Sequence, residues 1–169
     1  MTSSRAAAIR AATLGDANEI GRVHAAAWRE TYGDLLPPAI LDGQTGEKRA
    51  RLWEQVLRTP SRHGTTAVYV AETESGIIGF GSCGRQRMAT LKSRGHDGEI
   101  STLYVLRAFQ RRRVGAELMR TLADALRTDG IGSMSLWVLR ENDGARRFYK
   151  RLGGTLAGVR EETLGLTVL

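Results

Sequence analysis

The feature that most constrains the fold is the order of predicted elements between residues 99 and 139. Glu99 to Leu106 (EISTLYVL) reads as a strand, Arg113 to Thr128 repeats apolar residues at helical spacing, and Ser133 to Leu139 reads as a second strand. A strand, a helix and a strand in this order form a parallel βαβ crossover. Ligands of such sheets bind beyond the carboxyl ends of the strands, beside the next helix start. The loop from Leu106 to Gly115 is therefore the first place to look for a ligand site.

Further strands and helices complete a mixed α/β sheet flanked by helices. The predicted strands are Ala7 to Ala12, Thr66 to Thr73, Ile77 to Gly84, Thr155 to Val159 and Leu164 to Leu169. The predicted helices run from Thr13 to Tyr32, from Glu47 to Arg58 and from Asn142 to Leu152. Thr13 followed three residues later by Asp16 predicts a capping box at the start of the first helix. Because the 169 residues contain no internal repeat and no low-complexity stretch, we expect a single domain over residues 1–169.

The composition excludes several classes of protein. With 41% hydrophobic and 25% charged residues, no apolar run of ~18 residues and no charged-then-apolar leader, we expect a cytoplasmic domain without a membrane span. Cys83 is the only cysteine, and His24, His63 and His96 lack ligand spacing, so we expect no metal. The net charge is +7, and all but three of the 25 basic residues are arginines. The positions of those arginines determine whether they indicate a site for a negatively charged ligand.

The predicted helix start near Arg113 has no residue of the usual capping type. The chain from Arg107 to Gly115 reads RAFQRRRVG, so the first N–H groups of the helix lack a side-chain acceptor. Four arginines also lie where the helix dipole is already positive. A bound anion would accept bonds from the N–H groups and offset the charge. A solvated arginine cluster and a nucleic-acid surface are the alternatives, although no helix-turn-helix, cold-shock or RRM signature is present.

Two linked stretches, GEISTLYVLRAFQRRRVGAELM and LWVLRENDGARRFYKRLGG, resemble the GNAT superfamily of acetyl-CoA-dependent N-acetyltransferases. The resemblance implies a mostly antiparallel central sheet with the parallel βαβ unit as the cofactor-binding part. The superfamily pattern [QR]xxGx[GA] aligns on the six residues from Gln110 to Gly115, with Arg113 in place of the first glycine. We expect Arg113 to adopt helical φ and ψ with its side chain turned outward.

The same resemblance implies how coenzyme A would be bound. Backbone amides along the helix start would hold its pyrophosphate, and the backbone of the preceding strand would pair with its pantetheine arm. The Leu103 N–H would face the thioester carbonyl as an oxyanion donor. The residues implied in cofactor binding are Leu103, Tyr104, Val105, Gln110, Arg111, Arg112, Arg113, Val114, Gly115, Ala116, Asn142, Arg146 and Tyr149.

Acetyl transfer to an amine needs a base and an acid. Glu99 begins the central strand four residues before Leu103, which predicts the same face and a separation of about 13 Å at ~3.3 Å per residue. The resemblance favours Glu99 as a base acting through water, and another carboxylate such as Asp97 remains open. It also implies Tyr149 as the acid that protonates the leaving thiolate, with Asn142 near the pantetheine. From the residues alone, Asn142 is also a helix N-cap, and Tyr149 could be a packing residue.

The acceptor is predicted to be a primary amine, a small molecule rather than a protein, and its identity is open. In this fold the first two helices and their connector border the acceptor site, which implicates Trp28, Glu30, Tyr32, Asp34 and Leu36. Aromatic and carboxylate side chains there suit a cationic amine head with some apolar body. A non-catalytic acyl-CoA-binding module and a nucleic-acid-binding domain remain the rival functions. A homodimer and a monomer are both compatible with the sequence.

Overall fold

The structure, a computed structural model, describes residues 7–160 and is built on one five-stranded sheet in the order β1-β2-β3-β4-β5. The first four strands pair antiparallel, and β5 pairs parallel with β4. The strands are β1 (Ala8–Ala11), β2 (Thr65–Thr73), β3 (Gly76–Arg85), β4 (Gly98–Val105) and β5 (Met134–Ser135). The predicted mostly antiparallel sheet with one parallel βαβ unit is confirmed.

Six α-helices accompany the sheet within the described part of the chain. They are α1 (Ala17–Tyr32), α2 (Pro38–Asp42), α3 (Gly46–Arg58), α4 (Ala89–Lys92), α5 (Val114–Thr128) and α6 (Asp143–Arg151). The predicted capping box is present, because the Thr13 N–H donates to the Asp16 carboxylate at 2.7 Å and a short 3-10 turn leads into α1. The short helices α2 and α4 lie where the sequence predicts a connector and a loop.

The sheet separates two apolar layers. On one face Ile20 and Val23 of α1 and Trp53 of α3 pack on Val70 and Phe80 of the sheet. On the other face Leu118, Leu122 and Leu126 of α5 pack on strand residues that include Ile78 and Ile100. Helices α1 and α3 approach closely at Gly21, where an added Cβ would lie 2.4 Å from the Ala50 nitrogen. This contact holds α3, and with it Arg49, against α1.

A β-bulge in β4 reverses one sequence prediction. Thr102 pairs with Ser82, whereas Ile100 pairs with the next β3 residue, Cys83, so Ser101 is an extra residue. Since a one-residue insertion exchanges the two faces of a strand, Ile100 and Leu103 both pack on the α5 side. By strand alternation Glu99 lies opposite Ile100, on the α1 side. The prediction that Glu99 shares a face with Leu103 is therefore wrong, and the bulge is the reason.

The carboxyl-terminal part of the sheet is shorter than predicted. The strand predicted over Ser133 to Leu139 contains only Met134 and Ser135, which pair with Gly98 and Glu99. Residues Thr155 to Val159 form no strand and are exposed, so the strand predicted there is wrong. The strand predicted for Leu164 to Leu169 lies outside the described residues.

Candidate active site

The start of α5 carries the backbone conformation that a glycine would normally supply. Arg113 is the N-cap residue, with φ 67° and ψ −6°, and no side chain caps the helix. Arg111 also has a positive φ of 59°. A left-handed conformation costs a non-glycine residue about 1–2 kcal/mol because Cβ approaches the carbonyl oxygen. The expectation of helical φ and ψ at Arg113 is therefore wrong; the turn into α5 requires the geometry for which the superfamily pattern has glycine.

Consecutive backbone donors point out of this turn without acceptors. The first backbone bond into α5 is the Glu117 N–H to the Arg113 carbonyl at 3.0 Å. Within residues 7–160, the N–H groups from Arg111 to Ala116 find no backbone acceptor. The side chains of Arg111, Arg112 and Arg113 are exposed beside them. Donors, cations and a helix dipole thus converge on one spot, which is the chemistry of an oxyanion site.

Two of the residues around this turn have structural partners. Arg107 turns away from the anion site, because its N–H donates to the Glu30 carboxylate at 2.7 Å and its guanidinium binds the Glu30 carbonyl. The Gln110 side chain donates to the Val105 carbonyl at 2.9 Å and closes the loop. At Gly115, a Cβ would lie 3.3 Å from the Phe148 ring, so the bulky group that this glycine admits is Phe148 of α6.

The edge of β4 that faces β5 is open beyond Glu99. Leu106 donates to the Ile78 carbonyl of β3 at 2.9 Å, and successive residues of a strand direct their N–H groups to alternate sides. The N–H groups of Leu103 and Val105 therefore point away from β3, toward an edge that pairs with β5 only at Gly98 and Glu99. No backbone bond from either N–H is made within the described residues. This edge leads directly to the start of α5.

Helix α6 places the predicted acid beside the open edge. Tyr149 packs against the same apolar cluster as Leu103, around Leu122. Burial, and secondarily the neighbouring Tyr32, raises the pKa of Tyr149 to about 12, so the phenol keeps its proton at neutral pH. Asn142 caps α6 by accepting from the Ala145 N–H at 3.1 Å. Arg146 bonds the Arg140 carbonyl at 3.1 Å and lies 3.6 Å from Asp143, both local structural contacts.

Glu99, the predicted base, is bound by an arginine. Its side chain is 11% exposed, and the Arg87 guanidinium donates to both carboxylate oxygens, at 2.6 and 3.2 Å. The Arg87 N–H adds a third bond at 3.3 Å. The ion pair raises the pKa of Arg87 in turn. These three bonds fix the position of the Glu99 carboxylate at the start of β4.

An aromatic cluster fills the space between α1, α3 and the α1 face of β4. His24 accepts a bond from the Trp53 Nε1–H at 3.0 Å, and its ring lies 4.9 Å from the Tyr104 ring. Burial, and then the nearby Arg49, lowers the pKa of His24 to about 3, which keeps the imidazole neutral. Tyr104 shares a side-chain hydrogen bond with Tyr32, and burial raises the pKa of both phenols. His24 is thus a buried packing residue.

The residues predicted to border the acceptor fall into two groups. The rings of Trp28 and Tyr32 are in tilted contact, with centroids 4.4 Å apart, and join the aromatic cluster. Glu30 is occupied by Arg107, Asp34 is exposed and Leu36 is half-buried in the turn after α1. The structure therefore does not bring the predicted carboxylates to the aromatic cluster.

The charged group in this cluster is one that the sequence analysis missed. Arg49 is 6% exposed, and its guanidinium carbon lies 5.3 Å from the centre of the Trp28 ring. A signal was available, because Arg49, Trp53 and Val56 fall at i, i+4 and i+7 and form the buried stripe of α3. A charge at the head of an apolar stripe indicates either a buried pair or a ligand contact.

Two other features lie apart from this region. A surface groove of about 570 Å³ lies between α1 and α3 and includes no residue of β4 or α5. Cys83 is fully buried, and burial raises the pKa of its thiol to about 11, which is unsuited to a nucleophile. None of the helices in the described part of the chain is long and apolar enough to cross a membrane.

The structure thus has a mixed sheet whose central strand presents unpaired amides beside an uncapped helix start, as the resemblance to the GNAT superfamily implies. Comparison with known proteins agrees: the description of the acetyltransferase (GNAT) family matches residues 24–154, and the chain belongs to that family. It is an acyltransferase by this membership.

The similarity to individual relatives covers most of the chain. The uncharacterized N-acetyltransferase YuaI of Bacillus subtilis is 30% identical over 94% of this chain and 90% of its own length. A probable N-acetyltransferase of Mycobacterium tuberculosis is 28% identical over 85% of this chain and 76% of its own length. The solved structure of PaiA N-acetyltransferase from Thermoplasma acidophilum, a complex with coenzyme A, shares the fold with a TM-score of 0.70 and 21% identity, over 86% of this chain and 87% of that chain.

Proposed function

We propose that this protein transfers an acetyl group from acetyl-CoA to the primary amine of a small molecule, directly and within a ternary complex. The observation that carries the proposal is the continuity between the open edge of β4 and the unpaired amides at the start of α5. An extended ligand with amides at one end and phosphates at the other could pair its amides with the edge of β4 and its phosphates with the N–H groups at the start of α5. Coenzyme A fits this arrangement, because the donors at the helix start suit its pyrophosphate and the strand edge suits its pantetheine arm.

We assign one group of the protein to each step of the reaction. The Leu103 N–H would stabilise the negative charge that develops on the thioester oxygen. Tyr149, which packs in the same apolar cluster as Leu103, would donate its proton to the departing thiolate. The pKa of about 12 suits this direction of transfer, since the phenol stays protonated across the physiological range.

Glu99 would accept the proton of the attacking ammonium through water. The bulge at Ser101 supports this role in a way that the sequence did not anticipate: it moves Glu99 to the face of β4 that carries Tyr104 and the aromatic cluster. Acceptor and base would then share the α1 side of the strand. Arg87 would hold the Glu99 carboxylate in place for this step.

Thiol release from acetyl-CoA across a panel of amines, amino acids, aminoglycosides and peptides tests the proposal. We expect turnover with at least one small amine, and Tyr149→Phe should lower kcat by about 10-fold or more with little change in CoA affinity. The double variant Phe148→Tyr with Tyr149→Phe carries a phenol one position away and serves as the control. Its kcat should be as low as that of Tyr149→Phe alone. Turnover that is unchanged in Tyr149→Phe would contradict the assigned acid.

The two rival functions give different results in the same experiment. A non-catalytic acyl-CoA-binding module would bind CoA without thiol release from any acceptor. A nucleic-acid-binding domain would bind mixed-sequence DNA or RNA with steep salt dependence and would not be stabilised by CoA.

A further inference from the structure

We propose that Arg49 and Trp28 form an anion-binding subsite of the acceptor pocket, so that the acceptor is an amine that also carries a carboxylate, such as an amino acid. This inference rests on the proposed function and deepens it by naming the substrate class.

The first support is a set of buried donors without acceptors. Nε and Nη2 of Arg49 and Nε1 of Trp28 are buried and make no hydrogen bond with any described residue. A buried guanidinium without a carboxylate is costly, because it has lost water and gained no counter-charge. Burial indeed lowers the pKa of Arg49. The cation–π contact with Trp28 offsets only part of this cost.

The second support is the nature of the neighbours. The side chains around Arg49 are the neutral His24 imidazole, the Tyr104 phenol and the Trp28 indole. Glu30, the carboxylate predicted for this region, binds Arg107 instead. Among residues 7–160 no carboxylate forms an ion pair with Arg49, whereas nine other arginines do have such pairs. The missing partner is therefore a negative charge that another molecule would bring.

The third support is location. Arg49 interacts electrostatically with Tyr104, the neighbour of Leu103 in β4, and Tyr104 projects to the α1 face. An acceptor whose anion lies at Arg49 would thus be held next to the strand residue assigned to the thioester. Trp28 and Tyr32 are half-buried, so the cluster borders the surface beside the α1–α2 connector.

Charge and geometry favour a carboxylate over a phosphate. The planar guanidinium fork and the indole N–H supply three donors and one positive charge, which match the two oxygens and single charge of a carboxylate. A phosphate has a larger charge and one more oxygen, and it would leave charge uncompensated here.

The test compares each amino acid with its own carboxamide, and O-phosphoethanolamine with ethanolamine, as acceptors of the wild type and of Arg49→Met. We expect the wild type to prefer the acid over the amide by about 10-fold to 100-fold in kcat/KM, since bonds to charged groups contribute about that much. Arg49→Met should abolish this preference and keep the KM for acetyl-CoA. Arg51→Met, on the same helix but exposed and 3.9 Å from Glu47, is the matched control and should keep the preference.

Further readouts separate the possible failures. Arg49→Met should be at least as thermostable as the wild type, because it removes a costly buried charge and loses no hydrogen bond or ion pair with a described residue. A large fall in Tm would indicate a structural role and overturn the proposal. Trp28→Phe, which removes the indole N–H and leaves a smaller aromatic ring beside Arg49, should lower the acid preference several-fold. If CoA does not bind the wild type in calorimetry, the proposed function fails. If CoA binds and amines react but the acid-to-amide ratio is the same in Arg49→Met, only the subsite fails. Preference for the phosphorylated amine over the amino acids would overturn the carboxylate assignment.

Discussion

Ile100 and Leu103 are three residues apart in β4, yet both side chains pack on the same helix, α5. Only an extra residue in the strand allows this, and the pairing with β3 places it at Ser101. The bulge brings residues near both ends of β4 to the α1 face. Glu99 lies on that face at one end and Tyr104 at the other, with the Leu103 amide directed along the open edge between β4 and β5.

Glu99→Gln should therefore lower kcat/KM by about 100-fold, with the largest loss at low pH, where the acceptor amine most needs help to lose its proton. The measurement is kcat/KM for one good acceptor from pH 6 to pH 9.5.

Arg87→Met is the companion variant, because it removes the cation that binds Glu99 and keeps the carboxylate. The variant loses the two guanidinium bonds that position Glu99, so kcat/KM should fall, but by less than in Glu99→Gln because the carboxylate itself remains. Profiles identical to wild type in both variants would exclude Glu99 as the base.

Replacing Arg113 by glycine should stabilise the protein by about 1 kcal/mol, because the left-handed conformation at φ 67° no longer places a Cβ against the backbone. The KM for acetyl-CoA should change by no more than about threefold, since we assign the binding to the backbone N–H groups. Thermal unfolding and initial rates check the two parts.

Arg112→Gly is the matched control for this change. It removes the same charge one residue earlier, at a position without a positive φ. It should not stabilise the protein, because glycine there adds only conformational freedom to the unfolded chain. Equal changes in Tm for the two variants would show that the backbone conformation of Arg113 carries no strain.

The buried His24 should make stability depend on pH. Its pKa is lowered to about 3 in the folded protein, whereas an unfolded histidine titrates near 6.5. Between these values the unfolded chain binds more protons, so the free energy of unfolding is highest above about pH 6.5 and falls as the pH drops toward 3. Chemical denaturation at several pH values should show this slope.

His24→Gln should flatten the slope between pH 6.5 and 3. It should also cost ~1–3 kcal/mol at pH 7 if the amide fails to accept the Trp53 bond. His63→Gln, in the short turn before β2, serves as the control and should leave that slope in place. An unchanged slope in His24→Gln would mean that another group controls the acid transition.

The sequence predicted the order of the fold well, because periodicity and capping signals are local. The parallel unit, the capping box of α1 and the uncapped start of α5 all follow from neighbouring residues. The bulge at Ser101 depends on pairing with β3, and no residue type at that position indicates a bulge. The sequence therefore indicates Glu99 as a candidate base but predicts the wrong face of β4 for it.

Side-chain partners were the least predictable part of the site. Nothing in the sequence near Glu30 indicates that Arg107, 77 positions away, binds it. Arg49 was overlooked because a charge on a helix normally lies outside, and only the packing of α1 against α3 at Gly21 shows that it is buried.

The central claim is that the backbone amides from the open edge of β4 to the start of α5 bind coenzyme A. Amide hydrogen exchange of the wild type with and without saturating CoA tests it most directly, because the readout is the amides themselves. We expect exchange to slow in peptides that cover residues 103–116, with little change in peptides that cover β2. Unchanged exchange in residues 103–116 at saturating CoA, or protection confined to another region, would contradict the account.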